Sequence, residues 1–230
     1  MDDNHGVADL AIGVLGGTGP QGRGLALRFA LCGLQVLIGS RDESRAATAA
    51  DEVNRSLPSG AARPARGEDN AGVAAHADLV VVAVPWDGHA ATIEALRPSL
   101  AGKIVVDCVN PIGFDERGPY PLDVPEGSAA QQAAALLPDS RVVAAFHHVS
   151  AVLLADPDVP RVECDVLVLG EDRAATDTVR ALADLVPGLH GVYAGRLRNA
   201  GQVEAFTANL IAINRRYKAH AGIRITDIDR

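Results

Sequence analysis

Leu10-Ala11-Ile12-Gly13-Val14-Leu15-Gly16-Gly17-Thr18-Gly19-Pro20-Gln21-Gly22 joins a short apolar run to a glycine-rich turn. The run has the length and composition of a buried strand. Gly17, Gly19 and Gly22 form a G-x-G-x-x-G, a weak signal alone but an informative one directly after a strand and at the opening of a helix. There the glycines allow a tight turn, and the helix N-terminus presents free N–H groups and a positive dipole end to a pyrophosphate. Pro20 suits the first helical turn, where its missing N–H costs nothing. Gly17, Thr18, Gly19, Pro20, Gln21 and Gly22 are therefore expected to bind a dinucleotide.

Working outward, apolar runs alternate with helical stripes. A helix is expected over 20–31, a strand at 35–38, a helix carrying Ala46, Ala49, Ala50, Val53 and Leu57, and a short helix over 71–76. Strands follow at 78–84 and 103–109 with a helix from 88 to about 96 between them. Residues 110–127, with Pro111, Pro119, Pro121 and Pro125, break the rhythm and read as a long loop. Ser128 with Gln131 three residues on reads as a capping box for a helix to about 137. Strands at 141–146 and 166–169, a helix at 174–186, a short strand near 192 and a last helix spaced by Val203, Phe206, Leu210, Ile213 and Tyr217 complete the chain. Strands separated by such helices are parallel with right-handed crossovers. The expectation is an α/β fold, a Rossmann-type doubly wound, mostly parallel sheet over residues 1–195, with a small helical C-terminal segment over 196–230.

Composition sets limits on function. With 48% apolar residues among 230 the chain can bury a full core, and with only four Phe, three Tyr and one Trp that core must be aliphatic. The longest apolar run, Leu79–Trp86, is far short of the roughly 20 residues of a membrane span. A net charge of −8 argues against non-specific nucleic-acid binding. Yet Arg196, Arg198, Arg215, Arg216, Lys218 and Arg224 stand against Glu204 alone in the last helix region, a basic patch on an acidic body. The acidic start Met1–His5 has no basic or apolar leader, and Cys32, Cys108 and Cys164 have neither disulfide nor metal-ligand spacing. A cytoplasmic protein with core thiols and no metal is expected.

The end of the second strand chooses the dinucleotide. A site for NAD places a carboxylate there; this chain has Gly39-Ser40-Arg41 with Arg45 one turn later. A hydroxyl and a guanidinium hold a 2′-phosphate that a carboxylate would repel, so the cofactor is expected to be NADP(H). The competing reading makes Ser40 the cap of the next helix and Arg41 a solvated surface residue. Val84 and Pro85 end the fourth strand at the ligand edge, with Trp86 equally suited to packing or contact. His147-His148 also follows a strand's carboxyl end, placed either to donate a hydrogen bond near neutral pH or to hold a loop. Tyr120, Tyr193 and Tyr217 lack a Lys four residues on, and there is no G-x-S-x-G elbow. Few proton-transfer groups, and little chain after Ala194 to enclose a substrate, suit hydride transfer between two planar cofactors, where positioning supplies most of the catalysis.

These segments resemble the NADPH-dependent reductases of coenzyme F420. The resemblance is carried by Gly16-Gly17-Thr18-Gly19 through Ala26, by Gly39-Ser40-Arg41, Val84-Pro85-Trp86, Phe146-His147 and Val203-Glu204, and by the ending Asn214-Arg215-Arg216-Tyr217-Lys218-Ala219-His220-Ala221-Gly222. It implies reversible hydride transfer between C4 of the nicotinamide and C5 of the deazaflavin. It also implies a pyrophosphate on residues 18–21 and a 2′-phosphate on Ser40 and Arg41. The deazaflavin crevice would be lined by Pro85, His147, Val149 and Ala151, with His147 hydrogen-bonding the ring rather than serving as an obligatory base. The C-terminal part would complete that site near Thr207 and form a homodimer contact, and the basic stretch is available to the phosphate and glutamates of the F420 tail. The chain departs from the family pattern at Gly201-Gln202, Ala205 and His148-Val149-Ser150. Two alternatives stand beside this reading: an NADP-dependent reductase of a small carbonyl or imine, and a non-catalytic NADP-binding redox sensor.

Overall fold

In the computed structural model, which describes residues 6–228, all five residues of β1 (Ala11–Leu15) are buried, and the strand is paired on both sides. The acidic start Met1–His5 lies outside the described residues. β1 sits between β2 (Gln35–Ser40) and β4 (Leu79–Val82) in an eight-stranded sheet. β3 (Arg66–Asp69) pairs outside β2, while β5 (Ile104–Asp107), β8 (Arg141–Ala144), β9 (Cys164–Gly170) and β10 (Leu189–Gly195) extend the other half. The resulting order, β3-β2-β1-β4-β5-β8-β9-β10, is the doubly wound arrangement with two added strands.

Side chains alternate between two cores, as a period-two strand requires. Ile12, Val14, Leu79, Val81 and Val106 pack on one face, under α1 (Pro20–Leu31), α2 (Glu43–Arg55) and α7 (Arg173–Asp184). Leu15, Val80, Val82 and Val105 pack on the other, under α3 (Asn70–His76), α4 (His89–Leu100), α5 (Ala129–Leu136) and α8 (Ala200–Tyr217). Side-chain caps start several of these helices: Asp42 on α2, Asp69 on α3, Ser128 on α5 and Asp172 on α7.

Three expectations are corrected. β9 runs antiparallel to β8, with Val143 opposite Gly170 and Ala144 opposite Leu169, and β10 follows β9's direction. The connection between β8 and β9 holds only the five-residue α6 (Ala151–Ala155), too little helix to carry the chain back across the sheet for a parallel pairing. Residues 110–127 are not a plain loop: β6 (Ile112–Asp115) and β7 (Gly118–Pro121) form an antiparallel hairpin. Pro119 and Pro121 are tolerated because β7 pairs only with β6 and is an edge strand. The third correction is α6 itself, which periodicity did not show. Arg28 of α1 is 4% exposed, and its guanidinium donates to the carbonyls of Leu153, Leu154, Asp156 and Val159, closing the end of α6. Cys108 and Cys164 are buried, Cys32 is half-buried, and all three are free thiols.

Candidate active site

Two clefts open along the carboxyl edge of the central strands. The first, about 640 Å³, is lined by Thr18, Gly19, Pro20, Gln21, Ser40, Arg41, Asp42, Arg45, Asn70, Val84 and Pro85 among others. Its floor is the β1–α1 turn. Gly19 is the N-cap of α1 and has no side chain to satisfy the helix's first amides, so they face the cleft as an anion cradle. Gly17 and Gly22 do not line the cleft but make the turn possible. A Cβ on Gly17 would stand 2.9 Å from Ile38 and from the Val14 carbonyl, and one on Gly22 would stand 2.8 Å from the Gly16 carbonyl. Gly16 itself takes φ +70°, a need that the three-glycine motif did not point to.

At the far end of this cleft the two readings of Ser40 part. Asp42, not Ser40, caps α2, accepting from the amides of Ser44 and Arg45. Ser40 Oγ accepts from the Asp42 amide at 3.2 Å, which leaves its hydroxyl proton to donate, while Arg41 and Arg45 are exposed beside it. The Ser44 hydroxyl and the α2 amides keep the Asp42 carboxyl below the ordinary carboxylate range. Asn70 was not foreseen: its buried Oδ1 has no partner among the described residues, and the residue lines the cleft. An unsatisfied buried acceptor is costly, and this one is open to accept from a hydroxyl or amine. A phosphate cradle, a hydroxyl with two guanidinium groups and an unfilled acceptor fit NADP.

The second cleft, about 660 Å³, is lined by Gln21, Asn110, Val149, Ser150, Ala151, Thr207, Leu210 and Ile211, with Arg215, Lys218 and His220 on its basic rim. Gln21 belongs to both clefts, its Nε2 donating to the Phe146 carbonyl at 3.0 Å. Val149, Ala151 and Thr207 therefore come together as expected, while Pro85 lies in the first cleft. Trp86 packs against the core and tilts its ring over His89, 5.4 Å away. A wall of small and aliphatic side chains with a cationic rim fits an apolar ring carrying an anionic tail.

His147 departs from expectation. Phe146 takes φ +64°, and the turn it makes leaves both following histidine rings inside the protein. The His147 side chain is fully buried, so the residue meets the second cleft through its backbone. Its carbonyl accepts from Asn110 Nδ2 at 2.8 Å and from the Thr207 hydroxyl at 3.4 Å. His148 donates from Nε2 to the Asp165 carbonyl, bridging β8 and β9 where their pairing ends. Burial pushes the His147 ring down to about 4, with Asp107 opposing, so it is neutral at pH 7. Behind it His89 holds Asp107 at 2.6 Å; burial works against a charged His89, but that carboxylate outweighs it and raises the ring's pKa.

A strand–glycine turn–helix at the centre of this sheet, with a second cleft joining the first, defines a Rossmann-type dinucleotide-binding protein. Residues 11–111 match the family of coenzyme F420-dependent NADP oxidoreductases. The F420-dependent NADP reductase of Methanothermobacter marburgensis is 38% identical over 224 residues, spanning 95% of this chain and 99% of that one. That of Methanocaldococcus jannaschii is 37% identical, spanning 96% and 100%. The crystal structure of a candidate F420-dependent NADP-reductase from Arthrobacter sp. FB24 superposes with a TM-score of 0.77 at 30% identity, over 95% of this chain and 100% of the other. The chain belongs to the F420-dependent NADP reductase family.

Proposed function

We propose that this protein is an oxidoreductase that moves hydride reversibly between NADP(H) and coenzyme F420, one in each cleft. The observation that carries the reading is the junction of the two clefts at Gln21, which joins a groove floored by the glycine turn to a basic-rimmed one. When bound, nicotinamide C4 and deazaflavin C5 exchange the hydride. The residues supply position: α1's amides and Thr18 hold the pyrophosphate, Ser40, Arg41 and Arg45 the 2′-phosphate, and Val84 and Pro85 the nicotinamide side of the groove. Val149, Ala151 and Thr207 form the wall for the deazaflavin, and His147 acts through its backbone from behind. Residues 196–230 complete this second site, since α8 supplies Thr207, Leu210 and Ile211.

Mixing the protein with NADPH and oxidised F420 should bleach the deazaflavin's visible absorbance with turnover. Tight NADP binding without turnover would favour a redox sensor, and reduction of small carbonyls or imines instead would favour the alternative enzyme.

We also infer a homodimer. Phe114, Tyr120, Phe206, Ile213 and Tyr217 are exposed on the hairpin and α8, which pack together with Arg215 stacked on Phe114, and a second copy would cover this strip. Sedimentation velocity should give twice the chain mass; a monomer at micromolar concentration refutes it. Soluble cofactors and three free cysteines support a cytoplasmic location. Among the described residues no helix is long and apolar enough to cross a membrane.

A further inference from the structure

Glu204 on α8 is 2% exposed, yet it lies in neither cleft. Its carboxylate reaches across to α5, where Oε2 accepts from the Ala129 amide at 2.8 Å and Oε1 from the Ala130 amide at 3.2 Å. Oε1 also stands 3.9 Å from Nε2 of His147, and neither ring nitrogen of that buried histidine has a hydrogen-bond partner. α8 comes this close because residue 201 is glycine: a Cβ there would stand 2.4 Å from the Gly127 carbonyl. In this chain Gly201 thus lets α8 lie against the turn before α5, from where Glu204 reaches the Ala129 and Ala130 amides.

We propose that Glu204 is a positioning residue that works as the acid, its carboxyl O–H donating to Nε2 of a neutral His147. Oε1 has only to close the present 3.9 Å to hydrogen-bond distance, and that one bond gives Nε2 its partner while Oε2 still accepts from the Ala129 amide. The groups facing Glu204 are Asp107 on β5, His89 on α4, His147 after β8 and the first amides of α5. Burial, helped by Asp107, raises its pKa to about 7 against the pull of the two amides and His89. The consequence reaches the second cleft through one turn of α8: the single hydroxyl proton of Thr207 is shared among the His147 carbonyl, Asn110 Oδ1 and the Val203 carbonyl, each 3.4 Å away, so what holds Glu204 against His147 also holds this part of the wall. As pH rises through neutrality the acid ionises, the bond is lost and the wall loosens.

The effect on F420 rests on the reading above, and Glu204→Gln separates the two. Gln can donate to Nε2 and accept from α5 but cannot ionise. In the ligand-free protein at pH 6, ¹⁵N NMR should show Nε2 of His147 as an unprotonated, hydrogen-bonded acceptor. That signal should shift between pH 6 and 8.5 in the natural protein and stay fixed in Glu204→Gln. The Kd for oxidised F420 should rise roughly tenfold over the same range in the natural protein, the worth of one such bond. In Glu204→Gln it should hold its low-pH value, and in Glu204→Ala it should be weak throughout. Thermal melts give a further sign. A pKa raised in the folded state stabilises fully below the ordinary 4.5, and that stability is lost as pH rises through about 7. Relative to the natural protein, Glu204→Gln should therefore gain melting temperature between pH 4.5 and 8. A Gln variant that behaves like the Ala variant, or a His147 signal indifferent to Glu204, overturns the proposal. Failure of F420 turnover with the NMR behaviour intact would overturn only the cofactor assignment.

Discussion

Arg41→Ala is expected to raise the KM for NADPH by one to two orders of magnitude and to leave that for NADH nearly unchanged. A charge-assisted hydrogen bond is worth about 1.5–3 kcal/mol, which converts to roughly 10- to 150-fold. Exposure of Arg41 to solvent and salt places the effect toward the lower end. The substitution should leave the fold alone, because Arg41 lies outside α2 and the helix keeps its Asp42 cap. Steady-state kinetics with both cofactors measure it. Equal loss with NADPH and NADH would remove Arg41 from the 2′-phosphate and return it to the solvated surface role.

The second large effect is on stability. Arg28→Met should cost about 3 kcal/mol or more in urea unfolding and disturb the F420 cleft more than the NADP cleft. Met fills much of the volume but donates nothing, so the carbonyls of Leu153, Leu154, Asp156 and Val159 lose a common partner. Each buried acceptor left unsatisfied costs about 1–3 kcal/mol, reduced where water can reach it. Burial lowers the Arg28 pKa, with Asp156 opposing, but the group has far to fall before it loses its charge at neutral pH. Because α6 begins at Ala151, which lines the second cleft, the KM for F420 should rise while that for NADPH changes little. A loss under 1 kcal/mol would mean that α6 holds its place through packing alone.

How far the chain could be read beforehand differs along its length. The first half was legible because its signals are local. β1, the glycine turn and α1 follow each other within 21 residues, and the observed helix Pro20–Leu31 matches the expected one. The Ser128 cap with Gln131 was legible for the same reason: donor and acceptor sit three residues apart. The hairpin at 112–121 was not, since its prolines mimic a loop and only the edge position of β7 makes them acceptable. The direction of β9 was hidden by a mostly irregular connection whose short helix, α6, is held by Arg28, more than 120 residues earlier. Ser40 was ambiguous until Asp42 took the cap, and Asn70 carries no pattern that marks it as a ligand contact.

Local order in the chain was enough to place the glycine turn and the Ser40-Arg41 strand end that are proposed to hold NADP. A strand, a turn that only glycine can make and a helix end are neighbours in sequence, and the next strand's end lies beside them by topology. The histidine pair shows the limit. His147 and His148 read either as residues facing a ligand or as histidines holding a loop, and tertiary packing turned both rings inward: Phe146 takes φ +64° just before them, and the partners Asp107, Asp165 and Glu204 come from distant segments. Whether a buried histidine is an acid, a donor or a silent support is set by desolvation and by what stands opposite it, and both are properties of the assembled fold.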